Sequence, residues 1–298
     1  MAATTTQFPV EAAVLERLNR LSLTRSFTPQ IDVDWSAVTT DEEFAALYPA
    51  WSLLEGTGVD AALDGRARVI YARYQQMNLM LFTGLLERHA ITALAAVYDL
   101  NPAQEFSEYV GHFLKEEIYH HMMFQRAVAQ LRAAMPEMPG LPSAGVDRAV
   151  RWVFALGRCF PTQKMRSTYA FMVLRFAEQI TIYANQMTQA RLPRREGLVQ
   201  QVWAFHALDE SRHLQFDQMI LERNRLPRWL AWLPRWTAGA GCVLLSLLLN
   251  ANELWVARRL GLRLRLWRLP RLMRQTRAPF KRRVFALIGK TLKGEEAG

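Results

Sequence analysis

The sequence predicts an all-α fold, a four-helix bundle built around a dimetal site, and three observations carry that expectation. Four stretches, at 64–98, 102–134, 162–191 and 194–224, have no proline beyond their first turn, and no segment alternates with period two. Each stretch places a carboxylate near mid-length on an apolar face: Glu87, Glu117, Glu178 and Glu210. Two of them repeat the pattern Glu-x-x-His, as Glu117-Ile118-Tyr119-His120 and Glu210-Ser211-Arg212-His213. Burying such groups is costly unless something pairs with them. Two inward Glu-x-x-His pairs, joined by one Glu from each of two further helices, make a carboxylate-bridged dimetal site.

Residues 1–60 hold one short amphipathic helix, at 10–23, and then irregular sequence with Pro29, Trp35, Pro49 and Gly56. They are expected to wrap over the bundle, which spans 61–226. In the first long helix Glu87 shares a face with Met80, Thr83, Gly84, Ala90, Ile91 and Leu94. The alternative is a surface glutamate paired near Arg88 or His89. Asn101 is placed to cap the next helix, with Pro102 at its first position. There Phe106, Val110, Phe113, Leu114, Phe124, Val128 and Leu131 trace the inward stripe, which Glu117 and His120 interrupt. Glu116 and His121 are turned roughly 100° away. His89, His112 and His121 read as ordinary histidines.

Pro136 and Pro139 end that helix, and a connector at 136–145 leads to a helix at about 147–160. Thr162 can cap the third bundle helix, whose only acid, Glu178, lies among Phe171, Leu174, Thr181 and Ile182. Arg175 is its alternative partner. Pro193 ends this helix and Pro227 the fourth. In the fourth, His206, Glu210 and His213 fall within roughly 60° of arc. Val199, Val202, Trp203, Phe216 and Ile220 continue that face in both directions.

The remaining sequence differs in kind. Residues 226–298 carry 15 Lys/Arg against 3 Asp/Glu, a net of +12 out of +10 overall, so the rest of the chain comes to about −2. Trp229, Trp232 and Trp236 alternate with Arg228 and Arg235, and an uncharged run at 237–252 follows. That run would span about 24 Å, less than the hydrocarbon layer, and is expected to pack on the bundle. Residues 227–298 thus read as a basic, Trp/Arg-rich helical extension. No recognised motif points to nucleic acid. Cys159 and Cys242 form no disulfide framework, and no signal peptide is evident at 1–10, so a cytoplasmic setting is expected.

Carboxylates and imidazoles in this ratio suit two iron ions, or manganese, better than zinc. Glu117 and Glu210 are expected to bridge, with Glu87 and Glu178 terminal, His120 on the first metal and His213 on the second. Asp209 and Glu116 each precede a ligand glutamate. In a pseudo-symmetric bundle each can accept a hydrogen bond from the ligand histidine of the other helix.

The fourth helix carries one imidazole more than a six-ligand site needs, in the pattern His206-x-x-x-Glu210-x-x-His213. With that residue the chain resembles, over roughly residues 65–225, the p-aminobenzoate N-oxygenase family of ferritin-like di-iron arylamine oxygenases. The resemblance implies Glu87, Glu117, His120, Glu178, His206, Glu210 and His213 as metal ligands, with His206 on the second iron. It also implies a homodimer and an O2-dependent monooxygenase acting on an aryl or other small amine in a biosynthetic pathway. Electrons would come from an external donor, since no Gly-x-Gly-x-x-Gly fingerprint is present. No local motif carries over the family's substrate contacts. One other enzyme reading keeps the iron but oxidises C–H bonds of an acyl, lipid or carrier-bound substrate. The basic extension would then dock a membrane or an acidic carrier protein. A ferritin-like iron-binding protein is disfavoured by the long decorations and by His206, and a metal-free helical interaction protein by the joint ligand pattern.

Overall fold

The computed structural model describes residues 8–98, 104–135, 143–192 and 196–293. Among them the regular elements are helical and none is a strand. The caps and stops expected at Asn101, Pro102, Pro136, Pro139 and Pro193 lie outside the described residues.

Four long helices form the bundle: α4 (Gly65–Tyr98), α5 (Gln104–Ala133), α7 (Gln163–Arg191) and α8 (Leu198–Arg223). α4 packs along α5 and α7 along α8, while α4–α7 and α5–α8 contacts close the ring. Thr162 caps α7 as expected, its side chain accepting the Met165 N–H at 3.2 Å.

Two apolar clusters divide the bundle along its axis. One gathers Tyr74, Met80, Phe124, Ala184, Val199 and Trp203; the other gathers Leu94, Phe106, Phe113, Phe171 and Phe216. Their order along each helix sets the topology. α4 and α8 run from the first cluster to the second, and α5 and α7 run the other way. Neighbours in sequence are therefore antiparallel, while α5 and α7 are parallel and need a long crossover. α6 (Ser143–Leu156) lies in that crossover and packs on α4. Every candidate ligand falls between the two clusters.

At the N-terminal side α1 (Phe8–Arg25) packs on α5 and α8, and α2 (Pro29–Asp32) on α5. The stretch expected to be irregular also contains α3 (Asp41–Trp51), which packs on α4 and α7. A capping box starts it: Glu43 N–H donates to Thr40 Oγ1 at 3.3 Å, and Thr40 N–H donates to Glu43 at 2.7 Å. Pro49, which reads as a stop, falls near the end of this helix.

The C-terminal helices are α9 (Arg228–Arg259), α10 (Leu269–Gln275) and α11 (Pro279–Lys293). α9 lies on α4, α6, α7 and α11. It takes in the Trp/Arg turns as well as the uncharged run, and at 32 residues it extends about 48 Å rather than 24 Å. It is long and apolar enough to cross a membrane by length and composition, and 56% of its most apolar stretch is buried within the protein. Asn78 ties it to α4, donating to the Leu249 carbonyl at 3.1 Å and accepting from Asn252 at 3.0 Å.

The two ends of the chain meet where Arg277 N–H donates to the Glu55 carbonyl at 2.8 Å. Gly56 beside it has φ +72°, and a Cβ there would stand 2.6 Å from Arg277 Cδ, so only glycine suits the position.

Candidate metal centre

The period of an α-helix turns residues three, four and seven apart toward one side. α8 accordingly presents His206, Glu210 and His213 to the bundle axis, α5 presents Glu117 and His120, and α4 and α7 present Glu87 and Glu178. All seven are buried. Six of them form two overlapping groups, Glu87–His120–His206–Glu210 and Glu117–His120–Glu210–His213. In each group the donor atoms lie within 4.8 Å of one another. His206 Nε2 stands 2.6 Å from Glu87 Oε1 and 3.0 Å from Glu210 Oε1. His213 Nδ1 stands 3.1 Å from Glu117 Oε1, and His120 Nδ1 3.6 Å from Glu210 Oε1. His120 and Glu210 belong to both groups, which therefore form two adjoining pockets rather than one.

Glu178 stands slightly apart. It lines a small cavity between α4 and α7 together with Glu87, Glu117, His206 and Glu210, but belongs to neither group. The carboxyl of Asp217, also buried, acts on it from α8.

A second ring of polar groups fixes the first. His120 Nε2 lies 3.1 Å from Asp209 of α8, and His213 Nε2 lies 3.0 Å from Glu116 of α5. This is the crosswise pairing expected from the pseudo-symmetry of the two Glu-x-x-His helices. With Nε2–H donating to a carboxylate, the Nδ1 lone pair of each ring faces the centre. Arg212 joins the two supports, donating to Glu116 at 2.8 Å and to Asp209. Phe113 stacks on the His213 ring with centroids 3.7 Å apart, and Phe27 on His120 at 5.8 Å.

The electrostatics show a cluster short of positive charge. Burial drives the Glu87 and Glu178 carboxyls well above the usual carboxylate range, and the neighbouring acids add to it. Burial also raises Glu117, with His213 offsetting part of that rise. It would raise Glu210 too, but His206, His213 and His120 outweigh it and bring that group down to about 2. Burial takes His206 down to about 4. His213 rises well above its ordinary value despite burial, because Glu116 and Glu117 hold its proton.

Several buried atoms of the cluster have no hydrogen-bond partner: Oε2 of Glu87, Glu178 and Glu210, and Nδ1 of His120 and His206. Buried oxygens and nitrogens are rarely left so in a folded protein. Carboxylate oxygens and imidazole nitrogens in two overlapping groups, with no thiolate among them, are the donor set of iron or manganese. The residues present thus fit a pair of such ions.

The competing partners are engaged elsewhere. Arg88 and His89 both bond Asp147 of α6, the latter at 3.3 Å, and Arg175 donates to Gln218. His121 Nδ1 lies 2.5 Å from the Gly84 carbonyl. His206 bonds carboxylates and not a carbonyl. It groups with Glu87 and His120, while His213 groups with Glu117. The physical reason is helix rise: seven residues separate the two rings by about 10 Å along α8, on opposite sides of Glu210.

Sequence reasoning missed two buried groups. Asp217 continues the Glu210–His213 stripe at the next helical turn, so its spacing could have revealed it. Arg212 lies two positions from Glu210, off that stripe, and carried no such signal.

Comparison with known proteins gives a family-model match over residues 9–277, described as P-aminobenzoate N-oxygenase AurF. An uncharacterized protein of Mycobacterium tuberculosis (strain CDC 1551 / Oshkosh) is 27% identical over 233 residues, 76% of this chain and 64% of its own length. One from strain ATCC 25618 / H37Rv is 27% identical over 223 residues, 72% of this chain and 61% of its own. The match therefore spans a little under two thirds of those relatives. No solved structure matches.

Proposed function

This chain belongs to the p-aminobenzoate N-oxygenase family, and from that membership we propose that it is an O2-dependent, non-haem di-iron monooxygenase that N-oxygenates an aryl or other small amine. Glu87, Glu117, His120, Glu178, His206, Glu210 and His213 would hold the two metals, with Glu117 and Glu210 between them. The iron pair, when bound, supplies reductive activation of O2 and transfer of one oxygen atom to the substrate nitrogen. An external reductase would deliver the electrons, and the working form would be a cytoplasmic homodimer in a biosynthetic pathway.

The protein's own residues supply position and dryness. Asp209 and Glu116 hold the His120 and His213 rings by their outer nitrogens, so that the inner nitrogens keep their lone pairs. The aromatic clusters above and below exclude water, which strengthens every electrostatic contact between them. On the α4–α7 side Thr83, Ala90, Ala177 and Thr181 line the cavity, whose volume of about 20 Å³ has room for about one water. Leu86 and Leu174, which also line it, or the helices themselves must therefore move to admit an aromatic ring.

The observation that carries this reading is the third imidazole, His206, within hydrogen-bond distance of both Glu87 and Glu210. The test is iron loading and turnover of the protein and its His206→Ala variant, with a chemical reductant, O2 and a panel of arylamines. We expect two irons per chain and oxygen incorporated at nitrogen. The variant should lose iron only in part, because six donors remain, yet lose most of its turnover. Unchanged turnover in the variant would remove His206 from the centre. Ferric iron accumulating well beyond two per chain, with no amine oxidised, would favour storage.

A further inference from the structure

The first turns of α9 present Trp229, Trp232 and Trp236 at spacings of three and four, on one face, with 72%, 59% and 60% of their surfaces exposed. Trp51 and Trp203 are buried, and Trp152 and Trp267 are exposed as well but stand apart in the chain from this row. Three exposed indoles in a row form an apolar ridge of the kind that marks an interaction surface.

Just around the helix from that ridge, Ala231 and Arg235 face an open cavity of about 280 Å³ between α7, α8, α9 and α11. Arg175, held by Gln218, and Arg225 line it as well. Glu222 is the single acid on its wall, and it accepts a hydrogen bond from Gln218 at 2.6 Å. Three guanidiniums thus share one cavity with one carboxylate, and exposed Lys290 adjoins it through Thr291.

We propose that this end of the molecule docks on an anionic phospholipid surface, with the tryptophan ridge entering the interfacial layer and the arginine-lined cavity taking a lipid phosphate. Indole rings favour that layer because one edge is polar and the rest apolar. Guanidinium forks match phosphate oxygens. A second copy of the chain is a poor occupant. A two-fold contact would set the same patch against itself, guanidinium facing guanidinium. The net charge of +12 over residues 226–298 adds long-range attraction to acidic lipid.

The test is co-sedimentation of the full-length, iron-loaded protein with vesicles of phosphatidylcholine, alone and mixed with phosphatidylglycerol. The wild type should bind the mixed vesicles and release as salt is raised. Trp229→Ala/Trp232→Ala/Trp236→Ala should lower binding at least about tenfold with helix content and iron stoichiometry unchanged. Arg225→Gln/Arg235→Gln should weaken the preference for phosphatidylglycerol more than Arg263→Gln/Arg265→Gln, which removes the same charge away from the cavity. Wild-type protein that binds neither vesicle overturns the proposal, and that outcome requires no variant to fold. So does a tryptophan variant that binds vesicles normally but changes from dimer to monomer, which would make the ridge a subunit contact. Inorganic phosphate binding the cavity without any vesicle binding would assign it to a free anion and also overturn the proposal.

Discussion

Two of the buried polar clusters among the described residues differ in one respect. In the first, Glu253 of α9 accepts from Tyr71 at 3.3 Å, from Gln75 at 3.0 Å and from the Lys281 ammonium, so both its oxygens have partners and its charge is paired. In the second, between the aromatic layers of the bundle, four glutamates and three histidines leave Oε2 of Glu87, Glu178 and Glu210 and Nδ1 of His120 and His206 unpartnered, and their titration is pulled in opposing directions. The charge of the first is balanced without a ligand, though Gln75 Oε1 has no partner, and the cluster ties α9 and α11 to α4. The second has the donor set of a cation site. Balance of charge thus separates the structural polar core from the candidate binding site, although both are equally buried.

The sharpest way to break this comparison is to remove one charge from each cluster. Lys281→Ala should leave Glu253 as an uncompensated buried charge and cost about 3–5 kcal/mol in urea unfolding. Replacing both partners by apolar residues should restore most of that loss. Glu87→Gln in metal-free protein should cost little or even stabilise, because it removes one of several buried acids that repel each other. Equal losses from the two single changes would erase the distinction.

A smaller effect is expected from the outer ring. Asp209→Ala takes the support from His120 but no candidate ligand from the centre, and should weaken iron binding about 10- to 100-fold in a chelator competition. Glu253→Gln should leave iron affinity unchanged. If Asp209→Ala also leaves it unchanged, the crosswise pairing does not serve the metal.

The smallest effect concerns pH. Glu87, Glu117, Glu178 and Asp217 all have folded-state values raised by burial, and His120 and His213 are raised by their carboxylate partners. Each then holds its proton more tightly when folded, so stability falls as pH rises through those folded values. His206, lowered to about 4, opposes them below its unfolded value, and Glu210, lowered to about 2, matters only in strong acid. Metal-free protein should therefore melt at a lower temperature near pH 8 than near pH 6, and metal binding should flatten the difference. A metal-free protein that gains stability over that range would contradict the sign.

Much of this was legible in the sequence. Glu-x-x-His repeated on two helices named the centre, and the matching positions of Glu116 and Asp209 foretold which support reaches which histidine. The capping box that starts α3 was equally present, in Thr40 and Glu43, but Pro49 masked it. The uncharged run alone spans only half of α9, since arginine and tryptophan turns are helical as readily as leucine turns.

What the sequence determined by itself is what one helix contains. Spacing fixes angular position, so the seven candidate ligands and the inward stripes follow from a period of 3.6 residues. What only the tertiary structure decided is what two helices share. That His206 groups with Glu87 and His120 rather than with His213 depends on how far α8 is shifted along its axis against α4 and α5. That Arg212 reaches both Glu116 and Asp209, and that Asp217 comes to lie beside Glu178, depend on the same offsets. Periodicity sets rotation about an axis, but side-chain packing between helices sets translation along it, and no single stripe encodes that.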